Sequence, residues 1–206
     1  MSKILIRMEG KRVVMLVIGI LLIVGGVTGV VFNMVSGTAF RLLWLCNHAN
    51  IILGLAFIFG SSFWASAEIN LIFFPQLFWT IDFLSKLLFG RFVFGFTDYM
   101  FSPAYEGISY ALSLSHLFVL PIAFVGLWFL KSSKDGWKGS VLHGILLIPI
   151  SLAFTTANLN CMRESCISFI PSGIVYQILW PFAIFAAVLI VNFFLWKIFG
   201  VRNERR

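Results

Sequence analysis

The fold of this chain is decided by the stretch VVMLVIGILLIVGGVTGVVFN, residues 13–33, which contains no charged side chain. A helix needs about 20 apolar residues to cross the hydrocarbon core of a bilayer. Across all 206 residues, 60% are hydrophobic and only 11% are charged, which excludes a soluble domain of ordinary composition. The sequence therefore predicts an integral membrane protein.

Further apolar runs of similar length predict an all-α membrane bundle of six transmembrane helices. We expect a single integral membrane domain over residues 1–206, with spans near residues 13–33, 39–60, 62–81, 106–130, 140–158 and 173–199. The intervening stretch 82–105 mixes phenylalanines with charged residues, which is typical of an interfacial or re-entrant segment.

The first span resembles a signal peptide in following four basic residues, but it is too long and no A-x-A cleavage site follows it. We therefore interpret it as a membrane helix. Its Gly25-x-x-x-Gly29 spacing is typical of close helix packing.

The basic residues predict the orientation of the chain. With the N-terminus inside, eleven Lys and Arg fall on the inner side and four on the outer side. By the positive-inside rule, this bias predicts cytoplasmic N- and C-termini in the cell membrane. It also accounts for the net charge of +7 without a nucleic-acid partner.

Three cysteines fall in two different places. Cys161 and Cys166 share one short loop on the predicted outer side, where disulfides persist, so they are candidates for a disulfide. Cys46 lies inside the second span as the odd thiol. It is either an inert packing residue or a reactive group.

A second group of polar residues is predicted in the outer layer around Cys46. Asn50 lies four residues on and shares its helix face. His116 enters from the same side in the fourth span, and Asn158 and Asn160 end the fifth. Cysteine, histidine and asparagine suit acyl transfer: the imidazole takes the thiol proton, the thiolate attacks an ester carbonyl, and an amide orients the imidazole or stabilises the oxyanion.

Glu68 and His143 are expected to pair in the cytoplasmic half, far from Cys46. Such a pair is either a structural hydrogen bond or a station on an ion or proton path. A haem held by His48 and His116 is a further alternative. Neither a cofactor nor a metal site is otherwise predicted, because no zinc or c-type haem spacing occurs.

Short motifs resemble a known family. Leu45-Cys46-Asn47, Ser115-His116 and the late Asn158 and Asn160 are similar to motifs of the YwaF-like, transmembrane protein 164-like six-span membrane family. That resemblance implies acyl transfer on phospholipids, with Cys46 as nucleophile and His116 as base.

Other stretches look like those of uncharacterised bacterial membrane proteins, and this second likeness implies binding roles for Gln76, Asp98 and Tyr99. Together with Asn50 and His48, these residues are the predicted substrate-binding set. We thus expect a cysteine-dependent acyltransferase or lipid hydrolase acting on a lipid acyl ester, with a membrane lipid as substrate or ligand. The alternatives are a small transporter or channel with a polar outer layer, and a haem-binding membrane protein.

Overall fold

The chain forms an all-α helical bundle, as predicted. A computed structural model describes residues 2–102, 107–167 and 169–200, with side chains from residue 9 onward. The helices in these ranges are α1 (Ser2–Val35), α2 (Leu45–Phe59), α3 (Ser62–Phe89), α4 (Ile108–Leu114), α5 (His116–Leu130), α6 (Gly136–Phe154) and α7 (Ile174–Phe199). Short 3-10 helices cover Ala39–Leu43, Asp98–Phe101 and Leu159–Cys161. Over the same ranges the only β-type pairing is one isolated bridge between Ser132 and Gly200.

Five helical segments are long and apolar enough to cross a membrane, namely Glu9–Val35, Ser62–Phe89, Ile108–Leu130, Gly136–Phe154 and Ile174–Phe199. Helix α2 is apolar but has only 15 residues. The chain reverses between successive spanning segments, so the connections fall at two ends of the bundle. We call the end with residues 36–44, 90–102 and 155–167 the loop side, and the end with residues 60–61 and 131–135 the terminal side.

The helix bounds differ from the predicted spans in two places that matter for the site. Residues 39–43 form a separate 3-10 helix, and α2 begins only at Leu45, so Cys46 is its second residue. The predicted span 106–130 is divided into α4 and α5 at Ser115, so His116 is the first residue of α5.

Helices α1 and α2 cross at two glycines. A Cβ atom on Gly19 would lie 2.7 Å from the backbone oxygen of Gly54, and one on Gly54 would lie 2.6 Å from that of Gly19. Of the predicted Gly25-x-x-x-Gly29 pair, only Gly29 faces α2, where its Cβ would lie 2.9 Å from Oδ1 of Asn47. A Cβ on Gly25 would meet no atom within 4 Å.

The apolar core lies between α2, α3, α5 and α7, with Ile18 and Leu22 from α1. On the terminal side a polar network joins the helices. Asn70 on α3 donates to Oδ1 of Asn192 on α7 at 3.0 Å, and the Ser140 hydroxyl of α6 donates to the Ala67 carbonyl at 2.8 Å. Such bonds hold membrane helices together, because hydrocarbon offers polar groups no other partner.

Asp82 organises the segment after α3. The side chain is fully buried, and its carboxylate accepts hydrogen bonds from the backbone amides of Val93, Phe94, Gly95 and Thr97 at 2.7 to 3.1 Å, and from the Thr97 hydroxyl at 2.9 Å. The carboxylate is therefore not available to a lipid headgroup or to water. Its negative charge instead folds residues 93–97 back onto the end of α3.

Candidate functional site

The first turn of α2 is fixed by its own side chains. Nδ2 of Asn47 donates to the carbonyl of Arg41 at 2.9 Å, and Nε2 of His48 donates to the carbonyl of Leu42. Both acceptors belong to the preceding 3-10 helix, where the Arg41 carbonyl also accepts from the Trp44 amide at 3.0 Å. These bonds also assign the tautomer of His48, because a carbonyl only accepts and Nε2 must therefore carry the proton.

Asn160 completes this arrangement from the other end of the chain. Its Nδ2 donates to the carbonyl of Leu43 at 3.0 Å, and its Oδ1 accepts from the amide of Leu45 at 2.9 Å. The side chain therefore bridges the break at Trp44 between the 3-10 helix and α2. Asn160 lies beside Cys46 in the fold, as predicted, but its amide groups are occupied by backbone.

His48 stacks on His143 of α6. The ring centroids lie 5.8 Å apart and the ring planes differ by 9°. This contact contradicts the prediction that His143 lies far from the polar residues around Cys46. Two features explain it: α6 begins at Gly136 rather than 140, which places His143 about 10 Å along its helix at 1.5 Å per residue, and α2 is short.

His143 is also bonded to Glu68 of α3, as predicted. Its Nδ1 lies 3.1 Å from each carboxylate oxygen. Glu68 is 0% exposed, and the His143 side chain is 10% exposed. An isolated charge buried in this way is very costly, so the favourable states are those in which the pair carries no net charge.

The three side chains form a line of proton-binding groups across three helices. A carboxylate accepts from Nδ1–H, whereas a carboxylic acid donates to a bare Nδ1, so one contact accommodates the proton on Glu68 or on His143. In the part of the chain that the structure describes, Nδ1 of His48 and Nε2 of His143 have no hydrogen-bond partner. Nδ1 of His48 can therefore accept a proton, and Nε2 of His143 can accept one while the ring hydrogen of His143 lies on Nδ1.

Cys46 and His116, the predicted nucleophile and base, are not hydrogen-bonded to each other. Cys46 is a free thiol, partly buried in the first turn of α2. The ring of His116 makes a hydrogen bond from Nδ1 to the carbonyl of Ser113 at 2.9 Å and stacks on Trp79 at 4.9 Å between centroids. Trp79 in turn donates to the Tyr99 hydroxyl at 2.9 Å.

The remaining predicted binding residues are scattered over the loop side. Gln76 is 2% exposed, and its Oε1 has no partner among the described residues. Oδ1 of Asn50 likewise has no partner among them, and the Asn50 side chain lies against α1 at Gly26. Asp98 is exposed in the short helix after the Asp82 loop. Their grouping with Cys46 as a binding site stays a prediction.

Asn158 belongs to the disulfide loop. Cys161 and Cys166 are joined by a disulfide, which confirms that pairing. Oδ1 of Asn158 accepts from the amides of Arg163 and Glu164 at 3.0 and 3.1 Å, and its Nδ2 donates to the Glu164 carbonyl at 2.9 Å. Its role in this loop is to shape the backbone.

Metal and haem sites find little support in these contacts. Over residues 2–102, 107–167 and 169–200, no three His, Cys, Asp or Glu side chains are arranged to hold a metal ion. The two histidines of the haem alternative face different partners, since His48 stacks on His143 and His116 stacks on Trp79.

Comparisons of the chain with protein families, with curated proteins and with solved structures found no match. The resemblance to the YwaF-like, transmembrane protein 164-like family therefore stays a prediction.

Proposed function

We propose that this chain is a small proton carrier of the cell membrane, with Glu68, His143 and His48 as its proton-binding groups. The observation that carries the proposal is the fully buried Glu68 carboxylate, which lies 3.1 Å from His143 Nδ1 through both oxygens. Ionisable side chains inside membrane bundles are rare, and paired Glu and His residues there are typical of proton relays.

The proposed mechanism follows from charge neutrality in a medium of low dielectric constant. A proton that binds His143 at Nε2 makes the ring cationic, and Glu68 then remains an anion beside it, so the pair is neutral overall. When the proton leaves Nε2, the hydrogen on Nδ1 stays between His143 and the Glu68 anion, and the pair then carries one negative charge, which favours uptake of the next proton. Both states keep the Glu68–His143 hydrogen bond, which lowers the cost of exchanging them.

His48 supplies the connection to the loop side. Its Nε2 is fixed on Leu42, so its acceptor Nδ1 is held in one orientation beside the His143 ring. The proposal includes cytoplasmic termini, supported by the excess of basic residues on the terminal side. Protons would then reach His48 from the exterior and Glu68 from the cytoplasm.

Proton movement tests the proposal directly. The full-length protein is reconstituted into phospholipid vesicles that contain a pH-sensitive dye, and a potassium diffusion potential is imposed. We expect internal acidification that is faster than in protein-free vesicles and that falls to their rate in Glu68→Gln, since the amide neither binds nor releases the proton. Equal rates for Glu68→Gln and the unchanged protein would contradict the relay.

Asp135→Asn is the matched control, because it removes a carboxylate outside the membrane-spanning helices. Asp135 pairs with Lys138 at 2.8 Å, and both side chains are more than half exposed, at 56% and 57%. The hydrogen bond from Lys138 holds the pKa of Asp135 below its usual value, so this group stays ionised at neutral pH. We expect Asp135→Asn to keep the full rate.

Acyl transfer by Cys46 remains a second candidate function, with a membrane lipid ester as substrate. It rests on the position of the thiol in the first turn of α2, beside the backbone amides of Cys46 and Asn47. Because burial opposes the thiolate, a base beside Cys46 is required. The start of that helix is also held by Asn160 through the Leu45 amide. His116 would need to turn from Ser113 toward Cys46 to act as its base.

Covalent labelling separates the two candidates. A lipid-like acyl probe should label Cys46, and labelling should be lost in Cys46→Ser and in His116→Ala. Labelling that persists in Cys46→Ser would exclude this thiol as the nucleophile. The proton-flux assay is independent, because neither Cys46 nor His116 belongs to the proposed relay.

A further inference from the structure

The disulfide loop on the loop side has contacts that neither proposed function uses. Cys161 and Cys166 are half-buried, and their neighbours Asn158 and Glu164 are exposed. Nδ2 of Asn158 lies 3.7 Å from Sγ of Cys166, within the range of a weak N–H···S hydrogen bond. Among the described residues, the two sulfur atoms therefore differ, because only that of Cys166 has a donor beside it.

The loop is held in an unfavourable backbone conformation at the residue that contacts α2. Asn160 and Cys161 have φ angles of 53° and 59°, both in the left-handed region that non-glycine residues rarely adopt. Such residues keep this conformation only where their surroundings fix it. Here the constraints are the disulfide, the Tyr176 hydroxyl donating to the Cys161 carbonyl at 2.7 Å, and Trp180 Nε1 donating to the Asn160 carbonyl at 3.3 Å.

The same Asn160 holds the start of α2 through Leu43 and Leu45. The Cys161–Cys166 disulfide thus lies next to Asn160, the residue that fixes the first turn of α2. Loss of the disulfide would leave two left-handed residues with only hydrogen bonds to hold them, and relaxation of their φ angles would move the Asn160 side chain.

We propose that the Cys161–Cys166 disulfide is a thiol-exchange site, and that its reduction releases the first turn of α2 from Asn160. The co-reactant is an external thiol on the loop side. Its thiolate attacks Sγ of Cys161 and forms a mixed disulfide, while the Cys161–Cys166 bond breaks and its electron pair leaves on Cys166. The Asn158 amide donates to the departing sulfur, which then takes a proton from water.

A second external thiol completes the reduction. It attacks the sulfur of the external group in the mixed disulfide, so Cys161 leaves as a thiolate and is protonated. Two external thiols are thereby oxidised to one disulfide, and the loop gains two thiols. The exchange needs no metal and no cofactor.

Mass spectrometry of the full-length protein tests the chemical step. The oxidised protein in detergent is treated with glutathione, quenched in acid and alkylated at successive times. We expect an early species with glutathione on Cys161 and an alkyl group on Cys166. A predominant glutathione adduct on Cys166, or a disulfide that resists glutathione while the protein stays folded, would overturn the assignment.

Hydrogen exchange of the same samples tests the coupling. On reduction, we expect exchange of the Leu45 amide to accelerate about tenfold, as for the loss of one hydrogen bond. The amides of Val93, Phe94, Gly95 and Thr97, which are held by Asp82, are the internal control and should not change.

Asn160→Ala provides an independent variant, since it should accelerate Leu45 exchange with the disulfide intact. Exchange at Leu45 that stays unchanged both after reduction and in Asn160→Ala would overturn the coupling. Accelerated exchange in Asn160→Ala without any change on reduction would show that the disulfide does not control the bond between Asn160 and the Leu45 amide.

Discussion

Glu68 and His143 form the one contact between an acidic and a basic side chain that the described part of the chain places inside the bundle, with Nδ1 3.1 Å from both oxygens. The pair joins α3 to α6 and is screened from solvent. Its contribution to stability is therefore different from that of the exposed pair of Asp135 and Lys138, since exposed pairs contribute little.

Breaking the buried pair from one side should be more damaging than removing both partners. We expect His143→Leu to lower the free energy of unfolding by about 3–5 kcal/mol, because it leaves Glu68 buried without a partner. The double variant with Glu68→Leu should recover most of that loss. Unfolding in mixed micelles measures both, and additive losses in the double variant would show that the two residues do not interact.

The glycine crossing of α1 and α2 predicts different outcomes for substitutions at Gly54, which lies in the crossing, and at Gly25, which lies outside it. Gly54→Leu should push the helices apart, because its Cβ would lie 2.6 Å from the Gly19 backbone oxygen. Gly25→Ala should be neutral or slightly stabilising, by up to about 1 kcal/mol, since its Cβ has open space and alanine favours the helix. Melting temperatures in detergent distinguish them, and equal losses would argue against this crossing.

Asn192 should matter more than a buried hydroxyl that has no partner. Its Oδ1 accepts from Asn70 and its Nδ2 donates to the Lys134 carbonyl at 2.9 Å. Asn192→Leu is expected to cost about 1–2 kcal/mol of unfolding free energy. Ser151→Ala is the control, because Ser151 is 2% exposed and its hydroxyl makes no hydrogen bond in the described residues. A larger loss in Ser151→Ala would contradict this ranking.

The Asp82 carboxylate predicts a local effect. In Asp82→Asn one oxygen becomes an NH₂ group, which cannot accept from either the amides or the hydroxyl of the loop. We expect faster proteolysis within residues 90–97 and little change at the disulfide loop. Limited proteolysis followed by mass spectrometry reads out both sites, and cleavage that is unchanged in the variant would deny Asp82 this role.

Hydropathy was enough to predict the all-α bundle, because the bilayer restricts spanning segments to long apolar helices. The Glu68–His143 pair and the disulfide were also predictable. A buried carboxylate needs a partner, and two cysteines five residues apart can meet without long-range folding.

The neighbours of His48 were not predictable, because they depend on where α2 begins. A hydrophobic run does not reveal a break at Trp44, and the run over 39–60 looks continuous. Because α2 begins six residues later than predicted, every side chain in it lies about 9 Å closer to the start of the helix, at 1.5 Å per residue. His116 was displaced in the same way by the division of its span at Ser115.

The 15 residues of α2 have a consequence for the surrounding lipid. At 1.5 Å per residue the helix measures about 22 Å, against a hydrocarbon thickness of about 30 Å. Lipid next to α2 must therefore thin, or headgroups must dip toward the short helix. Such a dimple in the leaflet would bring water closer to the imidazole of His48 than the depth of an undisturbed bilayer allows.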